Sequence, residues 1–257
     1  MYRRPRLIPS LLLHDGGLVK TVKFQNGNYL GDPINAVKIF NEKGVDELCL
    51  LDIDASKEGR GPDFELLTEI ASEAFMPLSY GGGITNLDEI HKLFYIGFEK
   101  VIINTAFVQN PKLVTEAAAQ FGAQSIVVGI DAKKNLLHKY DCYIKDGTEK
   151  VKRSPEELAS SAERAGAGEL FLNSIDRDGT MSGYDLSLAE RVVRAVNIPV
   201  IACGGAATIH DFSSLLKTGV HAAAAGSLFV YFGKKKAVLI HAPSEQDCID
   251  EGIYEDE

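Results

Sequence analysis

Short apolar runs alternate along this chain with longer segments whose apolar residues recur every three or four positions. The runs lie at residues 7–13, 47–51, 77–80, 101–103, 125–130, 169–172, 199–202 and 222–225. Between them, segments 33–42, 87–95, 111–120, 155–165 and 186–196 carry the helical spacing, with Pro or Asp near their starts. A strand that returns after each helical segment needs a crossover connection, and crossovers build parallel sheet. Eight such units in about 250 residues predict an α/β fold of the closed (β/α)8 TIM barrel type, with an open doubly wound sheet as the alternative.

A gapless shift of 122 positions lays residues 47–108 on residues 169–230. Glu47 then falls on Glu169, Ile53-Asp54 on Ile175-Asp176, Pro77 on Pro199, Gly82-Gly83 on Gly204-Gly205, and Phe107-Val108 on Phe229-Val230. The matches gather at strand ends and turns, as an internal duplication would leave them. We expect one domain over residues 1–257, made of half-barrels at about 1–122 and 123–240 with a tail at 241–257. Residues 137–152 stand out after the fifth run as an insertion with a two-residue hairpin signal at Asp146-Gly147.

Composition changes this picture mainly by exclusion. Hydrophobic residues at 45% and charged residues at 25% fit an ordinary globular chain. A net charge of −9 argues against nucleic acid and anionic membranes as partners. No apolar run approaches the roughly 18 residues of a membrane helix, so a cytoplasmic location is expected. Cys49, Cys142, Cys203 and Cys248 form no CxxC pair, and neither a metal nor another cofactor is expected.

In a barrel the active site lies at the C-terminal ends of the strands. Gly82-Gly83 and Gly204-Gly205 follow the third and seventh runs; Asn104-Thr105 and Gly226-Ser227 follow the fourth and eighth. Glycine pairs let backbone N–H groups approach a phosphate, so two such cradles predict a ligand with two phosphates. Asp131 ends the fifth run, Asp176 and Asp178 follow the sixth, and Asp52 and Asp54 the second; each is a candidate acid or base, with helix capping as the alternative. Lys20, after the first run, is placed to meet an anion or simply to lie in solvent.

The runs HDGGLVK, ELCLLDIDAS, GGGI, KVIINTA, IVVGIDAK, GAGELFLNSIDRDGTMSGYD and IACGGA, in this order from Arg6 to about Phe229, resemble the cyclase subunit of imidazole glycerol phosphate synthase. That resemblance implies a duplicated half-barrel enzyme. It takes ammonia from a separate glutaminase subunit and cleaves and cyclises a bis-phosphorylated ribulosyl-formimino-carboxamide ribonucleotide. Residue by residue, it implies Asp131, Lys20 and Asp178 as catalytic groups. Gly82, Gly83, Asn104 and Thr105 would form one phosphate site, and Gly204, Gly205, Gly226 and Ser227 the other. Arg6, Glu47, Lys100 and Glu169 match a ring of alternating charges through which ammonia enters.

One departure stands against these agreements. The family's second catalytic aspartate falls on Leu12, which carries no proton, and Asp15 matches the family's own Asp-Gly turn. The end departs as well, with GKKKAVLIHAPSEQ and an acidic tail expected to fray. Both changes resemble a second branch of the family that serves acetamidino-sugar synthesis for surface polysaccharides, such as lipopolysaccharide O-antigen. The alternatives are the histidine-pathway cyclase itself, a non-catalytic ammonia conduit that activates the glutaminase, and the isomerase sister family. The run SIDRDGT and the four gate charges speak against the last.

Overall fold

In the computed structural model, which describes residues 4–233 and 235–255, eight parallel strands close on themselves. They are β1 Arg6–His14, β2 Leu48–Asp52, β3 Leu78–Gly81, β4 Lys100–Ile103, β5 Ile126–Lys134, β6 Glu169–Ser174, β7 Val200–Cys203 and β8 Ala222–Ala225. Each pairs with the next, and β8 returns to β1 through Arg6↔Ala222. The expected barrel is therefore the fold. Helix starts are fixed locally: Asp32, Asp63, Asn86 and Asp185 each accept a hydrogen bond from the backbone N–H three residues on, and Ser154 forms a capping box with Glu157.

Two apolar compartments result. The larger lies between strands and helices, where Phe40, Ile70, Phe107, Phe212 and Phe229 are fully enclosed. The smaller fills the barrel itself with Ile8, Cys49, Ile102, Val127, Phe171, Ile201, Ala222 and Ala224. Strand register repeats under the shift seen in the sequence: Leu48↔Leu78 has its counterpart in Leu170↔Val200, and Ser79↔Lys100 in Ile201↔Ala222.

Two expectations need correction. The hairpin at 137–152 is not a lone insertion, because β1 and β5 both run on into antiparallel strands above the barrel. These are Gly17–Val22 and Gln25–Gly31 after β1, and Tyr140–Ile144 and Glu149–Val151 after β5. The turn of the second also holds four residues and not two, with Ile144 opposite Glu149; Lys145, Asp146 and Gly147 all take positive φ. The tail, expected to fray, is instead tied down. Ser244 and Asp247 form a capping box for the helix Glu245–Asp250, and Cys248, Ile253 and Tyr254 are buried. Arg4 stacks on the Tyr254 ring at 3.9 Å, and the Tyr254 hydroxyl donates to Asp46 at 3.1 Å. Composition marked the segment as polar; its anchors come from residues more than two hundred positions away.

Candidate functional site

The C-terminal mouth of the barrel holds a cavity of about 100 Å³, open to solvent. Its lining includes Asp131 from β5, Asn173 from β6, Gly82 and Gly83 after β3, Asn104 and Thr105 after β4, and Leu12 from β1. Four of the residues expected at one phosphate site are thus brought together with the principal carboxylate. Gly82 is obligatory here: at φ 133° any side chain would be strained, and a Cβ would stand 2.6 Å from the Asp52 carbonyl oxygen. Asn104 donates to the Gly129 carbonyl at 3.0 Å, Thr105 accepts from Lys145 N–H at 3.2 Å, and Ser56 accepts from Gly83 N–H at 3.3 Å.

Asp131 sits at this mouth with only part of its surface in solvent. Burial raises its carboxyl to about 7, the charge of Asp146 adds to the rise, and a hydrogen bond from Asn173 works against it. Near neutrality it is divided between acid and base, the condition that proton transfer favours. Leu12 stands on the same wall, 8% exposed, and offers only hydrocarbon.

Lys20 and Asp178 are brought to each other. Lys20 Nζ donates to Asp178 Oδ1, Thr21 Oγ1 to Oδ2 at 2.6 Å, and Phe24 N–H to Oδ2 at 3.1 Å. Both Lys20 and Asp178 are buried, and neither lines the cavity. The pair ties the hairpin after β1 to the loop after β6. Lys20 also covers Gly226, where a Cβ would meet its Cε at 3.1 Å. Gly204, Gly205, Gly226 and Ser227 consequently stand outside the cavity, although the Ser227 hydroxyl is buried without a partner. Gly205, at φ 115°, is buried and has no room for a side chain, since a Cβ there would lie 2.2 Å from the Gly183 carbonyl oxygen.

The remaining carboxylates serve local structure. Asp52 holds Arg60 through both oxygens at 2.8 and 3.0 Å and accepts from the N–H groups of Asp54 and Ala55. Asp176 accepts from Lys134 N–H at 2.7 Å. Asp54 is bonded to His14 Nδ1 at 2.7 Å; with Asp15 these groups come within 4.8 Å of one another at the rim, but Asp54 is already committed to His14 and Lys57. The cysteines stay as free thiols, and burial raises those of Cys142 and Cys203 to about 12, where they are inert.

At the opposite end, Arg6, Glu47, Lys100 and Glu169 close a ring. Arg6 donates to both glutamates, and Lys100 Nζ reaches Glu47 at 3.0 Å and Glu169 at 2.9 Å. The glutamates are almost wholly buried and the two cations partly exposed. Every charge has two opposite neighbours, which is what makes burial of four charges tolerable.

Asp146 was missed as a site residue. It lines the cavity from the hairpin after β5, and its carboxylate takes Lys57 Nζ at 2.9 Å. The Asp-Gly dipeptide announced a turn, but nothing in the sequence says that this turn folds back over the barrel mouth.

Compared with known proteins, residues 6–236 match the family described as histidine biosynthesis protein. A relative from Pseudomonas aeruginosa, provisionally named imidazole glycerol phosphate synthase subunit hisF2, is 54% identical over 93% of this chain and 96% of its own. One from Leptospira interrogans, provisionally named subunit HisF, is 50% identical over 95% and 97%. The imidazole glycerol phosphate synthase subunit HisF of Alkaliphilus metalliredigens is 40% identical over 88% and 90%.

Proposed function

This chain belongs to the histidine biosynthesis protein family, in the group of imidazole glycerol phosphate synthase subunits HisF, and on that premise we propose that it is an ammonia-using synthase subunit paired with a glutaminase. The observation that carries this reading is the closed ring of Arg6, Glu47, Lys100 and Glu169 on the barrel floor, opposite the cavity that holds Asp131. Such a ring blocks ions by its own charge pairing, and a partner that displaces one side chain opens a path for a small neutral molecule. Exposed Phe75, in the turn before β3, and exposed Tyr95, at the end of the helix Leu87–Tyr95 that leads into β4, support a docking face at that same end. Ammonia then travels along the barrel axis to a phosphate-bearing ligand at the other mouth. Asp131 moves a proton there, and Gly82, Gly83, Asn104 and Thr105 hold a phosphate. Lys20, Gly204, Gly205, Gly226 and Ser227 serve a second phosphate after the Lys20–Asp178 pair parts.

Leu12 supports assignment to the acetamidino-sugar branch, because the strand-one proton carrier of the histidine-pathway cyclase is replaced by hydrocarbon. The greater identity to the hisF2 chain than to the Alkaliphilus HisF agrees with this. The histidine-pathway cyclase is the second reading, favoured by the intact Asp131 cavity. The test is an assay of the purified chain with ammonium chloride and the bis-phosphorylated ribulosyl-formimino-carboxamide ribonucleotide. Turnover far below that of a histidine-pathway cyclase supports the second branch, and equal turnover rejects it. With the glutaminase present, Lys100→Ala should uncouple glutamine-driven from ammonium-driven turnover by at least tenfold; unchanged coupling sinks the gate.

A further inference from the structure

The geometry points to Asp146 as the second proton-carrying carboxylate of this site, acting with Asp131 across the cavity in the role that Leu12 cannot fill. This rests on the ammonia-using reading above. Asp146, Asp131, Asn173 and Leu12 line one cavity, and in that lining Asp146 comes from the hairpin after β5, not from a barrel strand. The hairpin is fixed over the mouth. Tyr143 pairs across from Asp131 itself, Lys145 N–H is bonded to Thr105, and a Cβ at Gly147 would touch Phe24 at 3.2 Å and Ile175 at 3.5 Å. Asp146 takes φ 53°, a conformation that Asp and Asn tolerate better than other side chains.

The two carboxylates have different surroundings. Burial raises the Asp146 carboxyl, the hydrogen bond and charge of Lys57 at 2.9 Å oppose that rise, and the like charges of Asp54 and Asp178 add to it. Asp131 faces Asp146, Asp178 and the Asn173 amide, with no cation in contact among the described residues. The cation beside Asp146 favours its ionised form relative to that of Asp131, and carboxyls whose surroundings differ in this way divide the roles of base and acid. Among the described residues the buried Asn173 Oδ1 has no partner, which agrees with an amide whose N–H₂ is turned to Asp131; Asn173 is thus a positioning residue.

The proton count closes. As a bond forms between ammonia nitrogen and the ligand carbon, Asp146 takes one proton from that nitrogen. As the carbon–nitrogen bond to the departing group breaks, Asp131 gives one proton to the departing nitrogen. Proton exchange with water resets both carboxyls.

The experiment uses the full chain, ammonium chloride and the bis-phosphorylated ribonucleotide, together with a carbon-13 NMR titration of the Asp131 carboxyl. Asp146→Asn preserves the turn and should lower turnover at least about 100-fold, with rescue to within tenfold by Leu12→Asp in the same chain. The Asp131 midpoint should fall in Asp146→Asn as the neighbouring charge is lost. Turnover within threefold of wild type, or an unmoved midpoint, overturns the assignment. Wild-type turnover equal to that of a histidine-pathway cyclase would reject the second branch and leave the pair standing. If wild type turns over none of the ribonucleotide, the second branch stands and the histidine-pathway reading fails, and the titration alone decides the pair: an unmoved Asp131 midpoint overturns it.

Discussion

The first four strands and the last four present the same register and the same glycine pairs, yet the first cradle lines the cavity that holds Asp131 and the second stands outside it. Position 56 and position 178 stand at the same place under the shift of 122, and their contacts differ. In the first half Ser56 makes one neutral hydrogen bond to Gly83 N–H. In the second half Asp178 draws in Lys20, Thr21 and Phe24, so the hairpin after β1 is pulled over Gly226. At this one position the duplicated scaffold thus differs by a hydroxyl against a carboxylate, and the carboxylate gathers the hairpin after β1. The halves also end differently. The helix Lys112–Phe121 closes the first, whereas the shifted positions 234–243 hold no helix among the described residues, and Glu245–Asp250 supplies one later.

The largest expected effect breaks this contrast outright. Asp178→Ala leaves the Lys20 ammonium buried without its partner and should cost about 3–5 kcal/mol in urea unfolding. Ser56→Ala should cost roughly 1 kcal/mol; equal losses would mean that the asymmetry has another source. Next, Asp131 tests the open side through pH. Its carboxyl is raised in the folded chain to about 7, so its relative contribution to stability is full below the unfolded value near 3.8 and is lost as pH rises through 7. Asp131→Asn should therefore raise stability on the order of 1–3 kcal/mol at pH 8 and little at pH 4, and a melting temperature gain independent of pH would contradict this.

A third measurement sharpens the comparison in solution. Titration with inorganic phosphate should perturb the amides of Gly82, Gly83 and Thr105 at lower concentration than those of Gly204, Gly205 and Ser227, because the second cradle must first part Lys20 from Asp178. Reversed order would place the open cradle in the wrong half. The smallest effect concerns the chain end. Tyr254→Phe removes the bond to Asp46 and should cost about 1 kcal/mol, checked by urea unfolding; no loss would leave Arg4 stacking and burial to hold the tail.

Alternating apolar runs were enough to mark all eight barrel strands, with Ala222–Ala225 and the helix Leu87–Tyr95 placed to the residue. Period and turn chemistry are local properties, so they are legible without contacts. The hairpin after β1 was missed because Gly17–Gly31 has a mostly exposed second strand and hence little apolar alternation. The helices Phe64–Glu73 and Ile209–Leu216 went unmarked between strands already assigned.

The order of residues alone determined the barrel, its inner repeat and the glycine turns, each of which follows from spacing or from the chemistry of a single side chain; Arg6, Glu47, Lys100, Glu169 and Leu12 were marked only by the resemblance to the cyclase family. Tertiary structure decided which groups face one another: that Lys20 and Asp178 neutralise each other, that Asp146 and Asp131 share a cavity, and that Tyr254 lies under Arg4. Such meetings depend on distances between positions far apart in the chain, and the energy of a charge is set by its neighbours in space.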